Sequence, residues 1–198
     1  MINLTIFLGV VAALLHGTAY VLYNLQAKAG SSVPNPASWV VWAFLSVLNA
    51  SSFFSMSGFL PSLQFLTGSA ACITTLIYVI FIGKLSWPTE KEWVILMLGL
   101  LGAIVWWEFR SATGGNLITT AAFIISSVPT ISGVKENPFK ETSRPWTIWT
   151  IASIATSINV SLQHKWWSLV APVVLTFVHG GVAFLSRGER KKKFANAH

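Results

Sequence analysis

The sequence predicts an all-α polytopic membrane protein whose seven transmembrane helices form two parallel three-helix repeats around one linking helix, a 3+1+3 arrangement. Three observations predict it: a scarcity of charge, seven apolar windows, and a tryptophan-containing pattern that occurs twice. Only 10% of the 198 residues are charged, 54% are hydrophobic, and the mean hydropathy is +0.65. A soluble domain carries about a quarter charged residues, so a water-exposed surface is not expected.

Each apolar window approaches the length of about 20 residues that crosses a hydrocarbon core of about 30 Å. The windows cover residues 2–23, 38–54, 63–82, 93–109, 117–132, 146–160 and 167–185. Helices are required there because lipid offers no partner for free backbone groups. The first window has no basic segment before it and exceeds a signal-peptide core, so we interpret it as a retained helix.

Basic residues predict the orientation of the chain in the membrane. Placing loops one, three and five on one side with the C-terminus collects eleven of them: Lys28, Lys84, Lys91, Lys135, Lys140, Arg144, Arg187, Arg190, Lys191, Lys192 and Lys193. The other side holds only Arg110 and Lys165. Positive charge favours the cytoplasmic side, so we expect the N-terminus outside and the C-terminus in the cytoplasm. The basic tail would also attract anionic lipid of the bilayer.

A pattern of tryptophan and small polar residues occurs twice at an offset of 107 positions. Its members are Trp39, Trp42, Ser46 and Asn49 in the second helix and Trp146, Trp149, Ser153 and Thr156 in the sixth. The spacing places each set along one helix face. The predicted units are therefore a first bundle (1–82), a linker helix with flanking loops (83–116), a second bundle (117–186) and a basic cytoplasmic tail (187–198). Three helices per half and one between them give parallel repeats, an arrangement found in transporters.

This layout resembles the SWEET and PQ-loop superfamily. The segments PNPASWVVW, from Pro34, and SSVPTISGVKENPFKETSRPW, from Ser126, resemble small bacterial seven-helix membrane proteins of that type. The resemblance implies the 3+1+3 fold, a transporter-like activity and a bacterial inner membrane. Sugar-transporting SWEETs carry asparagines in the third and seventh helices. Neither predicted helix has one here, and the offset instead pairs Cys72 with His179.

The candidate substrate-binding residues are the inner members of the repeated stripe and two histidines. They are Trp42, Ser46, Asn49, Trp149, Ser153, Thr156, His16 and His179. Tryptophans at helix ends also suit interfacial anchoring, and small polar residues also suit helix packing. The two histidines are expected at similar depth, and ionisable groups within a span are functional candidates. A neutral imidazole bonded to a neighbouring carbonyl is the alternative.

Two residues are candidate hinges. Pro129 removes a backbone hydrogen bond within the fifth helix and favours a kink there, and Gly17 occupies a comparable region of the first helix. Alternatively, Pro129 ends a short helix before the following loop. The histidines have no cysteine or carboxylate at ligand spacing, so no metal or other cofactor is predicted.

These features favour a facilitator that moves a small neutral polar solute by alternating access between the two bundles. The absence of aspartate and of a glutamate in mid-membrane argues against a carboxylate proton relay. A non-transporting receptor and an accessory subunit on the same fold remain alternatives, and a second copy of the chain is a candidate partner. A retinal photoreceptor needs a lysine within the last helix, and Lys165 precedes it. We find no paired carboxylates and no nucleophile–base pair in the sequence, so an enzyme is not expected. A nucleic-acid-binding protein is not expected either, because no soluble face exists to present the basic residues.

Overall fold

The chain folds into helices throughout the part that the computed structural model describes, residues 2–32, 36–81 and 90–195. This part contains no strand, as the sequence predicts. Seven α-helices follow one another: α1 Ile2–Lys28, α2 Pro36–Ser57, α3 Phe59–Phe81, α4 Glu90–Phe109, α5 Ala112–Glu136, α6 Ser143–Leu162 and α7 Val170–Ala195. A short 3₁₀ turn, Trp166–Leu169, leads into α7.

Over its described residues each predicted window lies on one of these helices, except that residues 167–169 of the last window form the 3₁₀ turn before α7, and several helices extend further. Pro129 lies inside α5, which continues to Glu136, so this proline does not end the helix. The backbone of α7 continues to Ala195, so most of the predicted tail is helical. Pro34, the predicted boundary at residues 82–83 and the last three residues of the tail lie outside the described residues.

Five of the described segments are long and apolar enough to cross a membrane. They are Asn3–Lys28, Trp39–Ser57, Phe59–Tyr78, Ala112–Glu136 and Trp166–Arg187. The described apolar part of α4, Leu96–Phe109, is shorter, and α6 does not meet the same criterion because serine, threonine and asparagine interrupt its apolar residues. The chain is therefore consistent with an integral membrane protein, and seven spans remain a prediction.

Six helices form a closed ring, with α4 outside it. Around the ring, α1 packs on α3, α3 on α2, α2 on α5, α5 on α7, α7 on α6, and α6 on α1. The helix α4 packs against α5 and α2. Two contacts around the ring join the first three helices to the last three, and we call them the α1–α6 seam and the α2–α5 seam; a smaller contact between α3 and α6 crosses the ring.

The ring has an apolar outside and a polar inside. Leu14, Phe177 and Phe184 are among many large apolar side chains exposed on the outer surface, whereas Gln64 and Asn116 are completely or almost completely buried. Soluble proteins distribute these residue types the other way. Polar groups within a span face the bundle interior because lipid cannot hydrogen-bond to them, so this distribution fits a lipid-facing ring.

A glycine allows three helices to meet near one end of the ring. A Cβ added to Gly9 of α1 would lie 2.6 Å from the carbonyl oxygen of Leu60 in α3 and 3.3 Å from Nδ2 of Asn159 in α6. The Asn159 amide donates to the carbonyl oxygen of Thr5, at 3.0 Å. Small residues at helix interfaces permit this close approach, and the α1–α6 seam depends on it.

We predict that Gly9→Ala destabilises the fold by about 1–3 kcal/mol, because the new methyl group overlaps backbone that cannot move aside. The measurement is the thermal unfolding midpoint in one detergent. Gly181→Ala is the matched control, since a Cβ there has no neighbour within 4 Å and alanine favours the helix. Equal midpoints for the two variants would contradict the close packing at Gly9.

Candidate functional site

The two predicted histidines come together at the centre of the ring. His16 of α1 and His179 of α7 are both buried, with ring centroids 6.4 Å apart. The ring of Trp149 lies 6.3 Å from His16 and 5.6 Å from His179. Thus three of the predicted site residues, from three different helices, form one cluster at a common depth.

Gln64 of α3 connects this cluster through a single amide. Its Nε2 lies 3.2 Å from Nδ1 of His16 and donates to Oγ of Ser153, at 3.1 Å. The Ser153 hydroxyl donates to the carbonyl oxygen of Trp149, at 2.9 Å, so its oxygen is free to accept from Gln64. The arrangement suits a neutral imidazole that accepts at Nδ1, with a side-chain amide rather than a carbonyl as its partner.

His16 also depends on a glycine that the sequence analysis did not single out. A Cβ added to Gly68 of α3 would lie 2.6 Å from Nε2 of His16. Any larger residue at this position would therefore displace the imidazole. Gly17, the predicted hinge in α1, has ordinary space around it, with Thr67 Cγ2 as the nearest atom at 3.4 Å.

The two inner tryptophans of the repeated stripe have different surroundings. Nε1 of Trp42 donates to Oγ of Ser126, at 2.9 Å, and its ring stacks on Phe123 at 6.1 Å. Nε1 of Trp149 is buried without a hydrogen-bond partner. The position 107 residues before Ser126 is Ala19, which has no hydroxyl to offer. The indole N–H of Trp149 is therefore left unpaired.

Tryptophans close one end of the cluster, which we call the tryptophan end. Trp39 and Trp146 are buried with Trp42 and Trp149, whereas Trp107, Trp166 and Trp167 are 71%, 63% and 66% exposed. The interfacial alternative therefore does not describe Trp42 and Trp149, whose rings belong to the packed interior. Ring contacts of 5.3 Å between Trp39 and Trp42 and 5.0 Å between Trp146 and Trp149 hold the cluster together.

A glutamate before α6 completes the tryptophan end. The carboxylate of Glu141 is buried and accepts from the Tyr23 hydroxyl, at 3.1 Å, and from Nε1 of Trp146, at 3.0 Å. These bonds join α1 to the start of α6. Glu141 could not be predicted from the sequence, because it lies in a connection between two apolar windows, where a charged residue is ordinary.

Asparagines hold the opposite end, which we call the asparagine end. Nδ2 of Asn116 in α5 donates to Oδ1 of Asn49, at 3.1 Å, and to Oγ of Ser52, at 3.0 Å. An amide in an apolar interior costs several kcal/mol unless it is paired, and Asn49 is paired in this way. Thr156, the counterpart of Asn49 in the stripe, is also buried.

Two small cavities lie at the centre and share part of their walls. The tryptophan-end cavity, of about 40 Å³, is lined by Trp42, Ser46, Cys72, Trp149 and His179 among others. The asparagine-end cavity, of about 50 Å³, is lined by His16, Ser46, Asn49 and His179 among others. Of the predicted binding residues, Ser153 and Thr156 are buried beside these cavities without lining them.

Aromatic rings narrow the central site at both ends in this structure. Phe65 lines the asparagine-end cavity and packs on Phe53 at a centroid distance of 4.2 Å, and Trp39 and Trp146 line the other cavity. Ligand pockets for drug-sized molecules measure about 300–1,000 Å³, whereas a water needs about 10–15 Å³. Each cavity therefore has room for only a few atoms.

Comparisons with known proteins add no relative. No family model matches the chain, and neither a curated protein nor a solved structure is similar to it. Within the described residues, no group of three or more histidine, cysteine or acidic side chains could hold a metal ion. The functional interpretation therefore depends on the geometry of the central site.

We predict measurable coupling between Gln64 and Ser153. A double-mutant cycle with Gln64→Leu and Ser153→Ala should give an interaction free energy of about 0.5–3 kcal/mol, because each change removes the other's partner. The measurement is unfolding of the purified protein in detergent. Ser161→Ala serves as the matched control in α6, since the Ser161 hydroxyl bonds within its own helix, to the carbonyl oxygen of Ser157. Additive effects for Gln64 and Ser153 would contradict the bridge.

Proposed function

We propose that the protein is a membrane facilitator that moves a small neutral polar solute by alternating access between two three-helix repeats, α1–α3 and α5–α7. The observation that carries the proposal is the small polar and aromatic site at the junction of these two groups. His16 and Gln64 come from the first group, and Trp149, Ser153 and His179 come from the second. A solute held there would contact both.

Helix boundaries support the repeat. Moving 107 positions along the chain from the first residues of α2 and α3, Pro36 and Phe59, leads to Ser143 and Trp166. These are the first residues of α6 and of the 3₁₀ turn that precedes α7. The offset of 107, which four pairs of side chains share, thus also relates the starts of two pairs of helical elements.

Contacts between the helices support the repeat independently. Exchanging α1, α2 and α3 for α5, α6 and α7 converts the α1–α6 seam into the α2–α5 seam. At the asparagine end, Ser52 contacts Asn116. The offset relates Ser52 to Asn159 and Asn116 to Gly9. Asn159 and Gly9 also approach each other. Parallel repeats of this kind give transporters a site at their interface.

Hydrogen bonds hold both seams at both ends, as an occluded carrier requires. At the tryptophan end, Trp42 bonds to Ser126 across the α2–α5 seam, and Tyr23 bonds to Glu141 beside the α1–α6 seam. The asparagine end has the Asn116 bonds across one seam and the bond from Asn159 to Thr5 across the other. Release of the bonds at one end, with the other end held, would open the site to one side only.

The solute is proposed to be uncharged because no charged side chain of the described residues lines either cavity. An ion would lose its hydration there without a compensating partner. Facilitated diffusion follows, since a proton relay through a carboxylate has no residue within the site. The proposed setting is a bacterial inner membrane, with the N-terminus outside as the tally of basic residues predicts.

Solute counterflow in proteoliposomes tests this function. We expect uptake of at least one small neutral solute, from a panel of sugars, nucleobases, nucleosides and amides, and we expect it to persist when the pH gradient is removed. Gly68→Ala should slow this uptake by about tenfold or more, because the methyl group displaces His16. Gly181→Ala should leave it unchanged.

Three outcomes would contradict the proposal in different ways. Strict dependence on the pH gradient would replace the facilitator with a proton-coupled carrier. Ligand-induced stabilisation that is lost in His16→Ala, without any flux, would indicate a receptor. Wild-type behaviour of the double variant Asn49→Leu, Ser153→Leu, with neither binding nor flux in the parent chain, would indicate an accessory subunit.

A further inference from the structure

Two ring nitrogens at the central site lack partners. Nε1 of Trp149 and Nδ1 of His179 are both buried and make no hydrogen bond, and both residues line the tryptophan-end cavity. The large majority of buried side-chain polar atoms are paired, and an unpaired one loses its hydration without compensation. Their rings lie 5.6 Å apart, so one bound molecule could reach both nitrogens.

The walls around these nitrogens are aromatic. The rings of Tyr20, Trp39, Trp42, Phe123 and Trp146 line the same cavity. Tyr20 lies edge-on to Trp149 with a centroid distance of 4.9 Å, and Trp146 lies 5.8 Å from His179. Aromatic surfaces favour stacked or edge-to-face contacts with another ring. A molecule without an aromatic ring would gain few hydrogen bonds from these surfaces.

The serine hydroxyls that line the tryptophan-end cavity already donate hydrogen bonds within the protein. Ser46 donates to the carbonyl oxygen of Ala43, at 2.8 Å, and Ser127 donates to that of Phe123, at 2.8 Å. Trp149 is therefore the indole donor of this cavity that has no acceptor. The ring of neutral His179 bonds to the backbone of Trp149, which places its proton on Nε2 and leaves Nδ1 as an acceptor. A hexose brings five hydroxyl groups, and several of them would remain unpaired in such a small and largely aromatic site.

We infer that the central site takes a small, uncharged, planar heteroaromatic molecule, which stacks among the aromatic rings, accepts from Nε1 of Trp149 and pairs with Nδ1 of His179. The inference rests on the proposed function for the location of the site and narrows the class of solute. A flat ring requires less separation of the two halves than a sugar does. An acceptor atom on that ring would satisfy the indole N–H that Ala19 leaves unpaired.

Calorimetric titration of the purified full chain tests the inference with five probes: uracil, hypoxanthine, toluene, glucose and choline. We expect uracil or hypoxanthine to bind at least tenfold more tightly than glucose or choline. Trp149→Phe keeps an aromatic ring and removes the donor, so it should weaken binding of the heterocycle by about tenfold. Toluene, which has no acceptor, should show no such loss. Trp107→Phe is the matched control at an exposed position and should bind all probes as the parent does.

A second variant keeps the test valid if Trp149→Phe does not fold. Ala19→Ser places a hydroxyl at the position that corresponds to Ser126, where it can accept from Trp149. We expect it to weaken binding of the heterocycle, because the donor is then used within the protein. Unchanged heterocycle affinity in both variants would overturn the inference, as would tighter binding of glucose or choline.

Binding and flux separate this inference from the proposed function. Tight heterocycle binding that depends on Trp149, without counterflow of any solute, would leave the inference standing and remove the facilitator. Counterflow of glucose without heterocycle binding would do the opposite. The same preparation serves both measurements, so a failure of folding affects them together and is detected by the unfolding midpoint.

Discussion

The structure depends on the pairing of polar groups at the two seams between its halves. Lipid offers these groups no hydrogen bonds, so Trp42, Asn116 and Asn159 find partners across the seams. Such bonds are worth about 1–2 kcal/mol or less each within a membrane. They are strong enough to align the halves and weak enough to be exchanged, as the proposed opening of the site requires.

The helical fold and the central histidines could be predicted from the sequence because each depends on local pattern or simple length. Apolar windows locate all seven helices, and helix rise alone places His16 and His179 at one depth. The stripe that contains Trp42 and Trp149 also marks the interior correctly. Tryptophan at a helix end does not by itself distinguish an interfacial anchor from a packed ring, since both environments favour its amphipathic shape.

The partners of these residues could not be predicted, because they come from helices distant in sequence. Gln64 bonds to His16 and Ser153 across 48 and 89 positions, and no periodicity encodes such a pairing. An amide within an apolar window was the available signal, since its cost requires a partner somewhere. The burial of Glu141 could not be predicted, because a carboxylate in a loop is normally solvated. The unpaired nitrogen of Trp149 is seen only in the structure, and the comparison of Ser126 with Ala19 offers a reason for it.

Access to the chain's single cysteine tests the central claim most directly. Cys72 lines the tryptophan-end cavity and is only 1% exposed, so its reaction would require the proposed opening of the site. In oriented proteoliposomes, a membrane-impermeant thiosulfonate should label the native chain from either face, and a bound solute should slow both reactions; Cys72→Ser is the blank. Absence of labelling from both faces, in protein that labels after unfolding, would contradict an alternating-access site.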